Sequence, residues 1–492
     1  MTESRTVAII GAGVAGLASA RRLMAEGLAC TLFERNEVLG GVWSDGYLNF
    51  GLQVQSELYE FPDWPLPEGT PNFTPGPIIQ KYLEEFSSHF GITPHIRFGT
   101  EVSNISDSSG AENSWIIESV GNGQTKAEHF DIVVICIGLY SNKPFIPEYP
   151  GVGDFSGETL HNSQFKSLDQ LSGKKVAVVG YGKSATDAAI ESTKSASETH
   201  IIFRQPHWPI PSKLAGILPF KWGLLSRLSS TLIPPYQYSS SVESLIHKIA
   251  KPLVWFYWRV VETLFYFQCR LGSRFGSRIS LVPELPIEID AFGESTMIPE
   301  SDFYKLARSG KIELHRTNID EFEATGVRLS NGESLNVDTV IFATGWHSDF
   351  GFIAADVWAR LNAGDDGFYL YRHIYNPQLP GLYFVGRASS ISSILTYSIQ
   401  ALWLADVVSG RVSLPSPAEM NENIEQMKSW KQSWMPFSSA RSARLIAHAQ
   451  HYHDELLRDM DIDPFRKKGF FAPLKELIFP YQPDDYKSIS DH

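Results

Sequence analysis

Two copies of one local pattern, about 170 residues apart, constrain the fold of this 492-residue chain more than any other feature. The first opens with the apolar run 7–10, the signature of a strand buried on both faces of a parallel sheet. It enters Gly11-Ala-Gly13-Val-Ala-Gly16, and residues 17–23 then read as a helix. The glycines have separate tasks: a tight turn, close approach of backbone to a pyrophosphate, and close helix–strand packing. Unpaired N–H groups at the helix start and the positive end of its dipole suit phosphate. A second strand over 30–33 ends at Glu34, 18 residues after Gly16. At that spacing an acidic side chain accepts hydrogen bonds from a ribose diol. Strand, glycines, helix, strand and acid in register predict a dinucleotide-binding βαβ unit. The later pair Gly40-Gly41, followed by Trp43, offers a second place where backbone can crowd a cofactor, or an ordinary turn.

The second copy starts at 175–179, continues Gly180-Tyr-Gly182-Lys-Ser184-Ala185, and leads into a helix-like stretch. Alanine in the third position still lets a helix pack on a strand. The next strand, 200–203, ends in Arg204 rather than an acid. A guanidinium there can grip a 2′-phosphate in a fork, so the expected nucleotide is NADPH rather than NADH. An apolar strand over 130–136 ends near Gly138, and 338–342 echoes it before Ala343-Thr344-Gly345. These segments are expected to be chain crossings, with the second nucleotide domain inserted into the first. A further buried strand, 379–385, ends at Gly386 and precedes a helix over 398–405.

Composition removes several function classes. Lys plus Arg number 42 against 55 Asp plus Glu, a net charge of −13, which argues against a nucleic-acid partner held by phosphate contacts. Cys30, Cys136 and Cys269 are far apart, with no CxxC, so neither a disulfide scaffold nor a metal site built on cysteine is expected. No metal ligand set is read from the sequence at all. The same absence of a closely spaced pair excludes the pyridine nucleotide–disulfide reductases, which share the order of the two cradles.

Between the cradles stands Phe155-Ser-Gly157-Glu-Thr-Leu-His161-Asn-Ser-Gln-Phe165. This resembles the FxGxxxHxxx(F/Y) fingerprint of the class B flavin-dependent monooxygenases, the flavin-containing monooxygenase superfamily. The likeness runs from about Val7 to Gly410 and includes the Ala343-Thr344-Gly345 linker. It implies an α/β fold of two Rossmann-like dinucleotide-binding domains, the NADPH domain inserted into the FAD domain. The expected boundaries are 1–168 and 338–492 for the FAD unit with a C-terminal helical tail, and 169–337 for the NADPH unit. The latter carries an aromatic helical insertion at about 211–298.

Carried over residue by residue, the resemblance implies that Gly11, Gly13, Gly16, Glu34, Gly41, Trp43 and Gly386 hold FAD. Gly180, Gly182, Ser184 and Arg204 would hold NADPH, and His161 would couple cofactor position to domain movement. Where family members often carry an Asn near the flavin, this chain offers Gln53 or Gln55; Gln55 is the choice. The implied chemistry is hydride transfer from NADPH to FAD, addition of O₂ at the flavin C4a, and oxygen transfer from that (hydro)peroxide. Phe165 stands where the Baeyer–Villiger branch has Trp. That favours oxygenation at nitrogen or sulfur in a small apolar organic substrate over ketone insertion. Uncoupled NADPH oxidation and a non-catalytic nucleotide-binding redox sensor are the competing readings.

Several segments admit two readings. Residues 252–268 hold seven aromatics in seventeen positions but fall short of a membrane span. They form either a buried helix or an interfacial one that meets a membrane surface or an apolar substrate. Arg270, Arg274 and Arg278 follow them. The insertion as a whole is expected to shape the substrate entrance. Trp208 either stacks on a nucleotide, guards the substrate route, or packs in a Pro-rich turn. His448, His451, His453 and Glu455 are expected on a solvated helix face. The N-terminal residues lack the build of a signal peptide, so a cytoplasmic location is expected.

Overall fold

The computed structural model describes residues 5–108, 114–140, 143–276, 279–294 and 301–489. Arg278 and the end of the predicted insertion, 295–298, lie outside the described residues. Along the chain come β1 (Thr6–Ile10), α1 (Val14–Ala25), β2 (Ala29–Phe33), β3 (Ile96–Arg97) and β4 (Ile132–Ile135). Then follow β5 (Glu158–His161), β6 (Lys175–Val179), α2 (Lys183–Ser192) and β7 (Glu198–Phe203). After them come α3 (Lys251–Cys269), β8 (Glu313–Arg316), β9 (Thr339–Phe342), β10 (Leu382–Phe384), α4 (Ser393–Ser409) and α5 (Ala449–Asp459).

Ten of these segments build two parallel sheets, ordered β10-β4-β1-β2-β3 and β8-β7-β6-β9-β5. Every residue of β4 and β9 is buried, as strands covered on both faces require. Each sheet begins at its centre with a strand–glycine–helix unit, and the cavity described below opens beyond the carboxyl ends of these strands. That is where ligands bind in open α/β sheets. α4 packs along α1 and carries α5 on its other side.

Two strands just outside the expected 169–337 pair within the second sheet. β5 pairs with β9 from Glu158↔Thr339 to His161↔Phe342, so both belong to the second sheet. The two connecting segments meet: Lys143–Pro144 pairs antiparallel with Trp346–His347. A strand's sheet depends on the partner it finds, which the echo between 130–136 and 338–342 does not disclose.

Candidate cofactor and active site

A cavity of about 810 Å³ runs between the two glycine cradles. Gly11, Gly13, Glu34, Gly41, Trp43, His161, Gly182 and Ser184, all singled out from the sequence, line it. Gly16, Gly180 and Gly386 support it from behind. A Cβ on Gly16 would sit 1.9 Å from Gly11 O, one on Gly180 2.6 Å from Ala343 O, and one on Gly386 2.7 Å from Ala15 Cβ.

The residues fit two dinucleotides. Gly13 and Gly182 are the N-caps of α1 and α2, neither makes a side-chain cap, and neither first turn contains an acid. Both helix starts therefore keep N–H groups and positive dipole for an anion. Gly11 adopts φ +102°, a region that favours glycine, and a Cβ there would meet Cys136 O at 2.9 Å. A Cβ on Gly13 would lie 3.6 Å from Gly41 Cα, so the Gly40-Gly41 turn closes directly on the first cradle. Glu34 is buried and accepts from the Ala12 and Asn36 N–H groups, each at 2.9 Å.

Between the cradles the wall is aromatic. Trp43 Nε1–H donates to Tyr59 Oη at 2.9 Å, and its ring stacks on Phe50 at 5.8 Å. Burial pushes the Tyr59 phenol up to about 12, so it stays neutral. Tyr47 Oη donates to Asp187 Oδ2 at 2.8 Å, and Lys183 bonds the same carboxylate, tying the first unit to α2.

His161 sits where the units join. Its Nε2 lies 3.0 Å from Gly345 O; a carbonyl only accepts, so that nitrogen carries the proton. Nδ1 then accepts from Ser163 Oγ at 2.8 Å. Burial holds the imidazole below its usual pKa, hence neutral.

Residues 4–243 and 297–468 match the model of the flavin-binding monooxygenase-like family. The chain belongs to that family. The unmatched stretch lies within the aromatic insertion. A probable flavin-containing monooxygenase 1 of Arabidopsis thaliana is 30% identical over 533 aligned residues, covering 99% of this chain and 97% of its own. S-allyl-L-cysteine S-oxygenase from Allium sativum is similar in structure, with TM-score 0.63 and 23% identity over 99% of this chain and 92% of that one. Cyclohexanone monooxygenase from Rhodococcus sp. Phi1 bound to NADP⁺ gives TM-score 0.68 and 20% identity over 93% and 97%. The protein is an FAD-dependent NADPH monooxygenase.

Within this flavin-binding monooxygenase-like chain, three expectations need correction. Gln55 is buried outside the cavity, its Oε1 without a hydrogen-bond partner, whereas the exposed Gln53 lines the cavity. The two residues differ in direction because Gln55 caps a short 3₁₀ turn, Ser56–Leu58, that packs into the core. The histidines of α5 are not solvated: His448, His453 and Glu455 are buried. His448 Nε2 donates to Pro234 O at 2.8 Å, His453 Nε2 meets Thr396 Oγ1 at 2.8 Å, and Tyr236 Oη donates to Glu455 at 2.8 Å. Elements distant in sequence cover that face, so its polarity alone misled.

The third correction concerns the insertion, none of whose described residues lines the main cavity. A smaller cavity of about 40 Å³ shares Ile391 and Ile446 with the main one and is closed by Leu225, Ser226 and Ser230 of the insertion. Trp208 resolves to packing: its backbone N–H donates to Asp290 at 2.6 Å and Nε1–H to Leu285 O at 2.8 Å. Arg204 is exposed at the carboxyl end of β7, outside the cavity lining.

Asn162 was missed. It lines the cavity, is buried, and has an Oδ1 without a protein partner. Its place inside the fingerprint, next to His161, was the available signal. Tyr47 and Tyr59 carry no local signal, because their partners lie 140 and 16 residues away, and Asp187 shows locally only its i,i+4 pair with Lys183.

Proposed function

We propose that this chain oxygenates a nitrogen or sulfur centre of a small apolar organic substrate, consuming NADPH and O₂. The observation that carries the reading is one cavity onto which both nucleotide cradles open, walled between them by Trp43, Phe50, Tyr59 and Tyr397. Gly11, Gly13, Gly16, Glu34, Gly41, Trp43 and Gly386 would hold FAD. Gly180, Gly182, Ser184 and Arg204 would hold NADPH. Bound FAD supplies the hydride-accepting and O₂-activating chemistry. The protein's own work is to exclude water with the aromatic wall, to present the Gln53 and Asn162 amides, and to keep the two units in register. That register is held by His161 and by the Tyr47–Asp187–Lys183 contact. The FAD unit then comprises the chain up to about 140 and beyond about 347, with the NADPH unit between.

Phe165 closing the fingerprint and the fold shared with an S-oxygenase favour heteroatom oxygenation. Likeness to cyclohexanone monooxygenase keeps ketone-to-ester insertion as the second reading. The test is turnover with ¹⁸O₂ and matched amines, thioethers and ketones. One label in an N-oxide or sulfoxide, stoichiometric with NADPH, is expected. Labelled ester would establish the second reading, and H₂O₂ alone with every substrate would sink both.

A membrane-surface contact through 252–268 belongs to the same proposal, with a cytoplasmic location supported by the three free cysteines. No helix among the described residues is long and apolar enough to cross a membrane. α3 buries Trp258 and Phe265 but exposes Leu253 (71%), Phe256 (60%), Val260 (50%) and Phe267 (53%). Exposed Lys248 and Lys251 lie at one end and Arg270 and Arg274 at the other. An apolar face flanked by cations fits a bilayer interface. Co-sedimentation with vesicles containing phosphatidylserine is expected for the wild type and lost in Leu253→Glu/Phe256→Glu. Equal binding by both proteins would refute the contact.

A further inference from the structure

Outside the cavity, the second sheet carries a polar cluster that nucleotide binding does not use. β7 and its edge neighbour β8 run parallel, with His200 opposite Glu313 and Ile202 opposite His315. The pleat therefore puts His200, Glu313 and His315 on one face. His200 Nδ1 lies 3.1 Å from His315 Nε2 and 3.6 Å from Glu313 Oε2. One ligand atom from each residue falls within 4.8 Å of the others.

The outer nitrogens of both rings face carboxylates. His200 Nε2 is 3.6 Å from Glu198 Oε2, and His315 Nδ1 is 3.4 Å from Glu333 Oε2. Each carboxylate favours the tautomer that holds its proton outward, towards it. Two such neutral rings turn their lone pairs on each other at 3.1 Å, beside a third negative group. A cation between the nitrogens would take both lone pairs, in place of the N–H···N bond that the opposite tautomer of one ring makes.

A metal ion answers the geometry better. Two nitrogens at the ~2.0–2.1 Å bond length of tetrahedral zinc stand about 3.3 Å apart. A carboxylate on the far ring nitrogen is the usual support of a metal-bound histidine. Two imidazoles also select a borderline-soft transition ion over Mg²⁺ or Ca²⁺.

We propose that His200 Nδ1, His315 Nε2 and a Glu313 carboxylate oxygen bind one divalent transition-metal ion of the zinc class. Water would complete the set on the open side, where Glu313 is exposed. None of the three lines the cavity, so the ion would fasten the edge strand β8 to β7. Through Glu333 it would also fasten the antiparallel unit formed by Ile319–Glu323, Gly326–Leu329 and Ser334–Asn336.

The test is Zn²⁺ titration calorimetry on untagged, chelator-stripped, FAD-loaded protein. One site per chain is expected, lost in His200→Gln/His315→Gln and indifferent to excess Mg²⁺. Glu333→Gln, on an exposed turn, should weaken it about 10–100-fold while FAD content stays unchanged. Equal Zn²⁺ affinity and stoichiometry in wild type and double variant would overturn the proposal. So would a zinc-edge anomalous peak located away from these residues.

Discussion

The two cradles share a motif and differ in how tightly the protein closes around it. In the first, Gly16 packs on Gly11, Gly13 on Gly41, and the strand-end Glu34 is buried with both oxygens in use. In the second, Gly182 has nothing within 4 Å of a built Cβ, and the strand-end Arg204 is exposed. A closed cradle suits a nucleotide that stays through many turnovers. An open one, reached by a solvated cation, suits a nucleotide that must arrive and leave. The contrast lies at Gly16 and Gly182, since Gly180 is backed by Ala343 O as closely as Gly11 is by Cys136 O.

The sharpest way to break that contrast is to add the same methyl group to each side. Gly16→Ala forces a Cβ to 1.9 Å from Gly11 O, against backbone that cannot give. We expect a loss of about 3 kcal/mol or more in stability, and protein that no longer retains FAD through gel filtration. Gly182→Ala meets open space at φ −79°, a conformation any residue adopts. Its stability should stay within about 0.5 kcal/mol, with FAD retained and only the KM for NADPH raised. Equal melting shifts in the two variants would erase the distinction.

Arg204 sharpens the comparison from the ligand side. If the exposed guanidinium reads a 2′-phosphate, Arg204→Gln should raise the KM for NADPH about 10–100-fold, the worth of a hydrogen bond to a charged group. KM for NADH and FAD content should hardly move. Loss of both nucleotides in parallel would assign Arg204 to folding instead.

These distinctions follow how far each feature depends on local sequence. Glycine spacing, strand burial and the strand-end residue are contiguous, so both cradles, and the acid-for-base exchange between Glu34 and Arg204, were readable before any coordinates. What failed depends on partners remote in the chain. Gln53 lines the cavity whereas Gln55, at the start of a short turn, is buried outside it. α5 looks solvated until residues near 234, 243 and 396 cover it. His200 and His315 meet across 115 residues, through a strand register that no spacing rule announces. β5 and β9 pair across a similar distance in sequence.

The smallest expected effect lies at the join of the two cradles, and its sign follows from His161. In the folded protein the ring is neutral: Nε2–H donates to Gly345 O while Nδ1 accepts from Ser163. Burial depresses its pKa, so between the folded value and about 6.5 the unfolded chain binds more protons than the native one. The ring's contribution to stability is therefore complete above about pH 6.5 and is lost as pH falls through the folded value. Protonation makes Nδ1 a donor facing the Ser163 N–H, which ends the acceptor half of the clamp. His161→Gln substitutes an amide, with one donor and one acceptor group, but loses this geometry, and should cost about 1 kcal/mol at pH 7.5. Melting curves of the two proteins should converge as pH falls through the folded value, with amide exchange over 343–347 rising in the wild type alone. A gap that widens in acid would mean that the imidazole is charged in the fold. Fixed charge at the join, rather than a neutral clamp, would then hold the retaining and the exchanging cradle in register.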